Sequence, residues 1–211
     1  MRRSLLAVAA TVTSLWPATL LAQGVDGSYG RVEGDLLFNG SLGVSVGEGG
    51  AGFDTHVGLL YLSTAGIYGR YAEAFGDEAA AFDRLFATGI ELRPVFLGRY
   101  ALDLERGPAH VDLFLDSFAL LLGATFSDPI GPESTVVPGL EFGASIEFPI
   151  LPSASGPYVG VLGLIRTTDD DLLGYRDADL IERGSSLVFT LSWHQIFDSG
   201  LVDLRDGARP D

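Results

Sequence analysis

The chain has 211 residues, with 28 acidic and 13 basic side chains and a formal net charge of -15. That acidity argues against nucleic acid as a partner. The lack of cysteine excludes disulfides, thiolate catalysis, thiolate metal sites and a lipidated cysteine, while 47 % apolar residues, 28 glycines and a mean hydropathy of +0.29 are unusual for a soluble acidic protein.

Met1-Arg2-Arg3 precedes an apolar stretch from Leu5 to Leu15, then Trp16-Pro17 and a small-residue exit at Ala22. This pattern predicts a secretory signal over residues 1–22. An uncleaved anchor would need a longer apolar run than one interrupted at Pro17, and Arg2-Arg3-Ser4-Leu5-Leu6 only loosely matches the twin-arginine export motif, a route that carries folded proteins. Removing Arg2 and Arg3 deepens the charge to about -17. Every basic residue is arginine, which reads as genome composition bias. About 190 remaining residues fit one domain, predicted over 23–197, with a tail over 198–211.

After the signal, hydrophobic alternation has a period of two, the mark of strands with unlike faces. From Arg31 to Gly47 it never breaks phase, predicting one long first strand. A hairpin at Asn39-Gly40 would mix the faces. Residues 47–52 satisfy G-x-G-x-x-G, yet a strand of about 53–62 follows and no helix N-terminus awaits a phosphate; they read as a turn. A loop at Thr64-Ala65-Gly66, with glycine in the left-handed position, would set Leu59 opposite Tyr71. The third strand then runs to about Phe75, residues 77–82 form a short helical loop, and a fourth strand spans about 85–97. Residues 98–116 make a long connection with a short helix around His110 to Leu115. A fifth strand covers about 117–126, a sixth 137–148, a seventh 157–166 and an eighth 185–197.

The expected fold is therefore all-β: an eight-stranded antiparallel up-and-down transmembrane β-barrel with one or two short helical connections. No later run approaches the roughly 20 apolar residues of a membrane helix, so any crossing is made by strands. With both termini on the periplasmic side, the two-three and six-seven turns are short, whereas the three-four, five-six and seven-eight loops run roughly ten, ten and eighteen residues, the usual asymmetry. The four-five connection breaks that rule.

An eight-stranded barrel holds little more than its own side chains, so the face with smaller residues belongs inside. The charged face carries Gly43, Ser45, Gly58, Gly89, Gly143 and Ser145. The other offers Phe38, Phe53, Tyr61, Tyr71, Phe142, Phe148, Phe189 and Trp193. Phe38, Phe142, Phe148, Phe189 and Trp193 are accordingly the candidate lipid-facing aromatics. The candidate lumen network is Arg31, Glu33, Asp35, His56, Arg70, Glu91, Arg93, Glu141, Glu147 and His194, which must pair or stay hydrated. Pairing its arginines with its carboxylates leaves acids over.

Leu187, Phe189, Leu191, Trp193 and Phe197 on alternate positions of the last strand resemble the C-terminal assembly signal of outer-membrane barrels, and the whole layout resembles small OmpA- and OmpW-like barrels of Gram-negative bacteria. Gln195 and the tail from Asp198 depart from that pattern. The resemblance implies an outer-membrane location, with outer-membrane lipid and the barrel-insertion machinery as partners.

Other chemistry is sparse. Ser192 and His194 share a face, as do the serine and histidine of barrel-embedded lipid hydrolases, but they would point away from lipid and their order is reversed relative to lipid A deacylases. Asp169, Asp170, Asp171, Asp177, Asp179 and Glu182 could gather a hard cation but lack the spacing of an EF-hand loop, and read as a solvated loop. His110 stands alone. No cofactor, metal or catalytic set is expected. The expected function is a non-enzymatic outer-membrane barrel with a structural envelope role, or one that passes a small apolar ligand. The alternatives are a soluble periplasmic, lipocalin-like binding barrel and a barrel-embedded lipid-modifying hydrolase.

Overall fold

A computed structural model describes residues 29–47, 50–75, 84–102, 104, 107–128, 136–168 and 184–200. Eight antiparallel strands follow one another in chain order and close into a barrel. They are β1 (Leu36–Gly47), β2 (Gly50–Tyr61), β3 (Ala65–Ala74), β4 (Arg84–Leu92), β5 (Ala119–Asp128), β6 (Val137–Pro149), β7 (Gly156–Thr168) and β8 (Gly184–Phe197), with β1 hydrogen-bonded to both β2 and β8. The expected signal at 1–22, the loops at 77–82 and 169–182, and the stretch beyond residue 200 lie outside the described residues.

Strand pairing fixes the tilt and the bore. Starting from Leu37, successive partners are Leu60, Gly66, Glu91, Leu121, Gly143, Leu164 and Ser186. Ser186 meets β1 again at Gly47, ten residues along from Leu37. That stagger tilts the strands by roughly 35–45° and, with eight strands, leaves an interior only as wide as its side chains.

Three local expectations are corrected. The first strand begins at Leu36, because residues Arg31–Glu33 turn into a 3-10 helix after Gly30, which takes φ 90°. The fourth ends at Leu92. Pro94 lacks the N–H a sheet ladder needs but suits the first turn of a helix, and α1 (Pro94–Ala101) starts there. The β2–β3 turn is Leu62-Ser63-Thr64, with Leu62 and Ser63 left-handed, and Leu59 faces Ile67 where Tyr71 was expected. Gly66 serves a different purpose: a Cβ there would lie 1.9 Å from the Leu59 carbonyl oxygen.

The long β4–β5 connection holds α1 and α2 (Ala109–Asp116) at the end of the barrel that carries the termini. Phe96 of α1 and Leu113 of α2 are buried. They line a cavity of about 20 Å³ together with Arg31, Leu37, Tyr158 and His194. The helices thus close that mouth.

The two faces of the barrel wall carry different residues. Phe38, Phe142, Phe148, Phe189 and Trp193 all project outward, between 37 and 56 % exposed. Arg70, Glu91, Glu141 and His194 are buried inside. The interior also holds an apolar cluster of Tyr68, Ala72, Leu85, Ala87, Ala119, Leu121, Leu162, Leu164 and Val188.

Candidate lumen network and outer belt

Among the described residues, three ion-paired groups stand out in the barrel and its closed mouth. In the first, Arg70 is fully enclosed between two carboxylates. Its Nε and Nη2 donate to Asp54, the shorter bond 2.6 Å, and its Nη1 donates to Glu141 Oε2 at 2.8 Å. Tyr68 Oη donates to the other Glu141 oxygen at 2.8 Å. One arginine on β3 therefore ties β2 to β6 across the lumen. Glycine clears the space: a Cβ at Gly123 would stand 2.2 Å from the Tyr68 hydroxyl.

The second group is built around Arg93, whose Nη2 lies 2.9 Å from Glu91 Oε1 and 3.8 Å from Glu147 Oε2. Each carboxylate also has a histidine. His56 Nε2 is 3.2 Å from Glu91, and His194 Nε2 is 2.8 Å from Glu147. Each histidine in turn stacks on a tyrosine, His56 on Tyr68 and His194 on Tyr158, with ring centroids 5.4 and 4.1 Å apart. Glu91 and Glu147 thus share Arg93, and each has an imidazole as a further partner. Asn39, His56, Glu91, Arg93, Glu147 and Ser192 border a cavity of about 30 Å³, room for a water or two and nothing larger.

Ser192 Oγ donates to Glu147 Oε1 at 2.5 Å. Glu147 therefore stands between Ser192 and His194, and takes the proton that a serine nucleophile would have to give to its base.

The third group fastens the closed mouth. Asp116 of α2 accepts from Arg31 at 2.6 Å and from Arg99 of α1 at 2.9 Å. Asp112 pairs with Arg99 and accepts from the Tyr29 hydroxyl and the Gly107 N–H, at 2.8 and 2.9 Å. Burial opposes charge on Asp112, but the Arg99 hydrogen bond, with those from Tyr29 and Gly107, outweighs it and holds the carboxyl below its ordinary value. The Arg31 guanidinium also sits 4.7 Å over the Phe96 ring. Ser117, just past α2, accepts the Glu147 N–H at 2.8 Å and so pins the helix to β6.

The candidate lumen residues therefore divide. His56, Arg70, Glu91, Arg93, Glu141, Glu147 and His194 meet inside. Arg31 sits in the mouth. Asp35, just before β1, accepts the N–H and hydroxyl of Ser199 and joins the approach to β1 to the segment just past β8. Glu33 is exposed on the 3-10 turn, outside the lumen. The sequence reading missed Asp54, although it alternates with His56 and Gly58. It also missed Arg166, half-buried on β7 with a hydrogen bond to Ser186, whose inward neighbours Leu162 and Leu164 gave no polar signal.

Outside, register aligns the apolar side chains into rows. Phe38, Leu59, Ile67, Ile90, Leu122, Phe142 and Ile165 are successive partners across seven strands, each between 37 and 64 % exposed. Toward the end away from the termini, Tyr71, Phe86 and Phe126 stand side by side on β3, β4 and β5. Immediately beyond them come Glu73, Arg84 and Asp128, again side by side. An apolar field ends in an aromatic row and then a charged one.

No family model and no curated protein matches the sequence. Among solved structures the chain is similar to the N-terminal β-barrel domain of Pseudomonas aeruginosa OprF, at 8 % identity and a TM-score of 0.46, over 77 % of this chain and 98 % of that one. It is also similar to Ail, the attachment invasion locus protein of Yersinia pestis, solved with the heparin analogue sucrose octasulfate, at 12 % identity and a TM-score of 0.33, over 76 % of this chain and 96 % of that one. Both likenesses are distant, and the architecture stands on this chain's own closed ladder.

Proposed function

We propose that the protein is an outer-membrane barrel with a structural role in the envelope, its lumen sealed to solutes. One observation carries this reading: polarity is inverted, with charges paired inside and continuous apolar rows outside. Soluble monomers seldom expose apolar patches larger than a few hundred Å², whereas a spanning barrel needs an apolar band flanked by aromatic residues. The interior supports the seal: among the described residues, paired charges, the apolar cluster and the closing helices fill it around cavities of about 20 to 40 Å³. Passage of a small apolar molecule would require such a ligand to cross those charges.

The lipocalin-like alternative calls for the bulky aromatic face to line an internal cavity, and here Phe38, Phe142, Phe148, Phe189 and Trp193 point outward. The hydrolase alternative calls for a serine bonded to its histidine at a lipid-accessible place, and Glu147 separates the two inside the lumen. The proposed protein does no catalysis.

Reconstitution tests both halves of the proposal. Refolded with phosphatidylcholine vesicles, the chain is expected to stay with the membrane through an alkaline carbonate wash and to release no entrapped small ions. Recovery as a soluble monomer without detergent would support the periplasmic alternative. Ion release would contradict the seal.

A further inference from the structure

The helices that close the barrel mouth repeat the inverted polarity of the barrel wall. All their charges, Arg99, Asp112 and Asp116, turn inward and pair within the mouth. Their outward positions carry none: Leu97 and Tyr100 on α1 and Val111 and Leu115 on α2 are 57, 51, 49 and 41 % exposed, and Leu102 just past α1 is 70 % exposed. Helices bathed in water would place their charges the other way round.

Position argues for lipid as the cover. Phe148 belongs to the outward face of β6, and its ring meets His110 and Phe114 of α2 at 5.9 and 6.1 Å. So α2 overlies the edge of the apolar field itself, and Val111 and Leu115 extend that field beyond the strands. Phe38, Tyr61, Trp193 and Phe197 lie on the outer face of the strand ends at the same mouth.

We propose that α1 and α2 form an interfacial shelf, resting their uncharged faces in the headgroup region of the leaflet on the terminus-bearing side of the membrane. The proposal rests on the membrane reading above. Amphipathic helices bind such a boundary with their apolar face a few ångströms deep. Here the polar side of each helix is satisfied by the barrel mouth in place of water. The shelf holds the seal against the membrane and fixes the depth of the barrel.

Because the chain has no cysteine, single substitutions give unique reporters. Val111→Cys, Leu115→Cys and Leu102→Cys would carry an environment-sensitive fluorophore, and Leu187→Cys on the outer face of β8 would serve as the strand control. The labelled proteins are refolded into phosphatidylcholine vesicles brominated either near the headgroup or deep in the acyl chain. The expected result is at least twofold quenching of the helix reporters by shallow bromine and little by deep bromine, with the control also quenched.

Quenching of the control without the helix reporters would overturn the shelf and leave the membrane barrel standing. Loss of quenching at every position would overturn both. Blue-shifted helix emission insensitive to either bromine would mean that a protein surface or a second copy covers the helices, and would overturn the lipid assignment. Leu102, outside both helices and the strands, keeps the test open if a helix variant misfolds.

Discussion

Arg70 illustrates how a narrow barrel tolerates charge. Removing a buried cation that holds two carboxylates leaves both uncompensated, and breaking such pairs costs about 3–5 kcal/mol. Arg70→Ala is therefore expected to destabilise the folded barrel by that amount in urea titrations in lipid vesicles. An unchanged midpoint would mean that the Asp54–Arg70–Glu141 bridge contributes nothing. Much of this bridge was legible, since Arg70 and Glu141 stand on the face with the smaller residues. Asp54 was overlooked beside Phe53, although the same alternation placed it. Arg31 and Glu33 were misplaced for the opposite reason: their alternation continues that of β1, but the backbone turns at Gly30 and the strand begins later. Periodicity records side-chain order and is blind to where the ladder stops.

At the scale of elements, the closing helices depend on a few ionic contacts. Asp112 holds its proton less tightly when folded than when unfolded, so its contribution is complete above the ordinary carboxyl value of 3.8 and is lost as pH falls through the lower folded value. The connection between β4 and β5 is thus expected to resist pepsin at pH near 5 and to become cleavable only below about pH 4. Asp112→Asn would be cleaved already at the higher pH. Equal resistance of variant and parent throughout would show that Asp112 does not fasten the mouth. One of these helices was visible in the sequence, around His110 to Leu115. The other was hidden because Glu91 and Arg93 alternate in strand fashion up to Pro94, and the reading carried the strand past a proline that both ends it and starts α1. How the helices sit could not be read at all, since it depends on Arg31 and Tyr29, more than 60 residues earlier in the chain.

The whole molecule is a polar interior enclosed by an apolar wall, and that arrangement follows from strand number and stagger. Eight strands leave an interior that its own side chains fill, and along β6 Phe142 and Phe148 face out while Glu141 and Glu147 face in. Fold and facing were thus open to a reading of volume and period. The pairing scheme was less so: residues 64–66 looked like a turn because glycine favours one, whereas Gly66 is required by close strand approach. The central claim is that the outer face of this wall meets lipid. In a chain prepared without residues 1–22, Trp193 is the only tryptophan, and it lies on that face, 43 % exposed. Its fluorescence, measured with the chain refolded into brominated phosphatidylcholine, tests the claim directly. Strong quenching is the predicted result, whereas emission unaffected by bromine, from a protein soluble without detergent, would contradict the account.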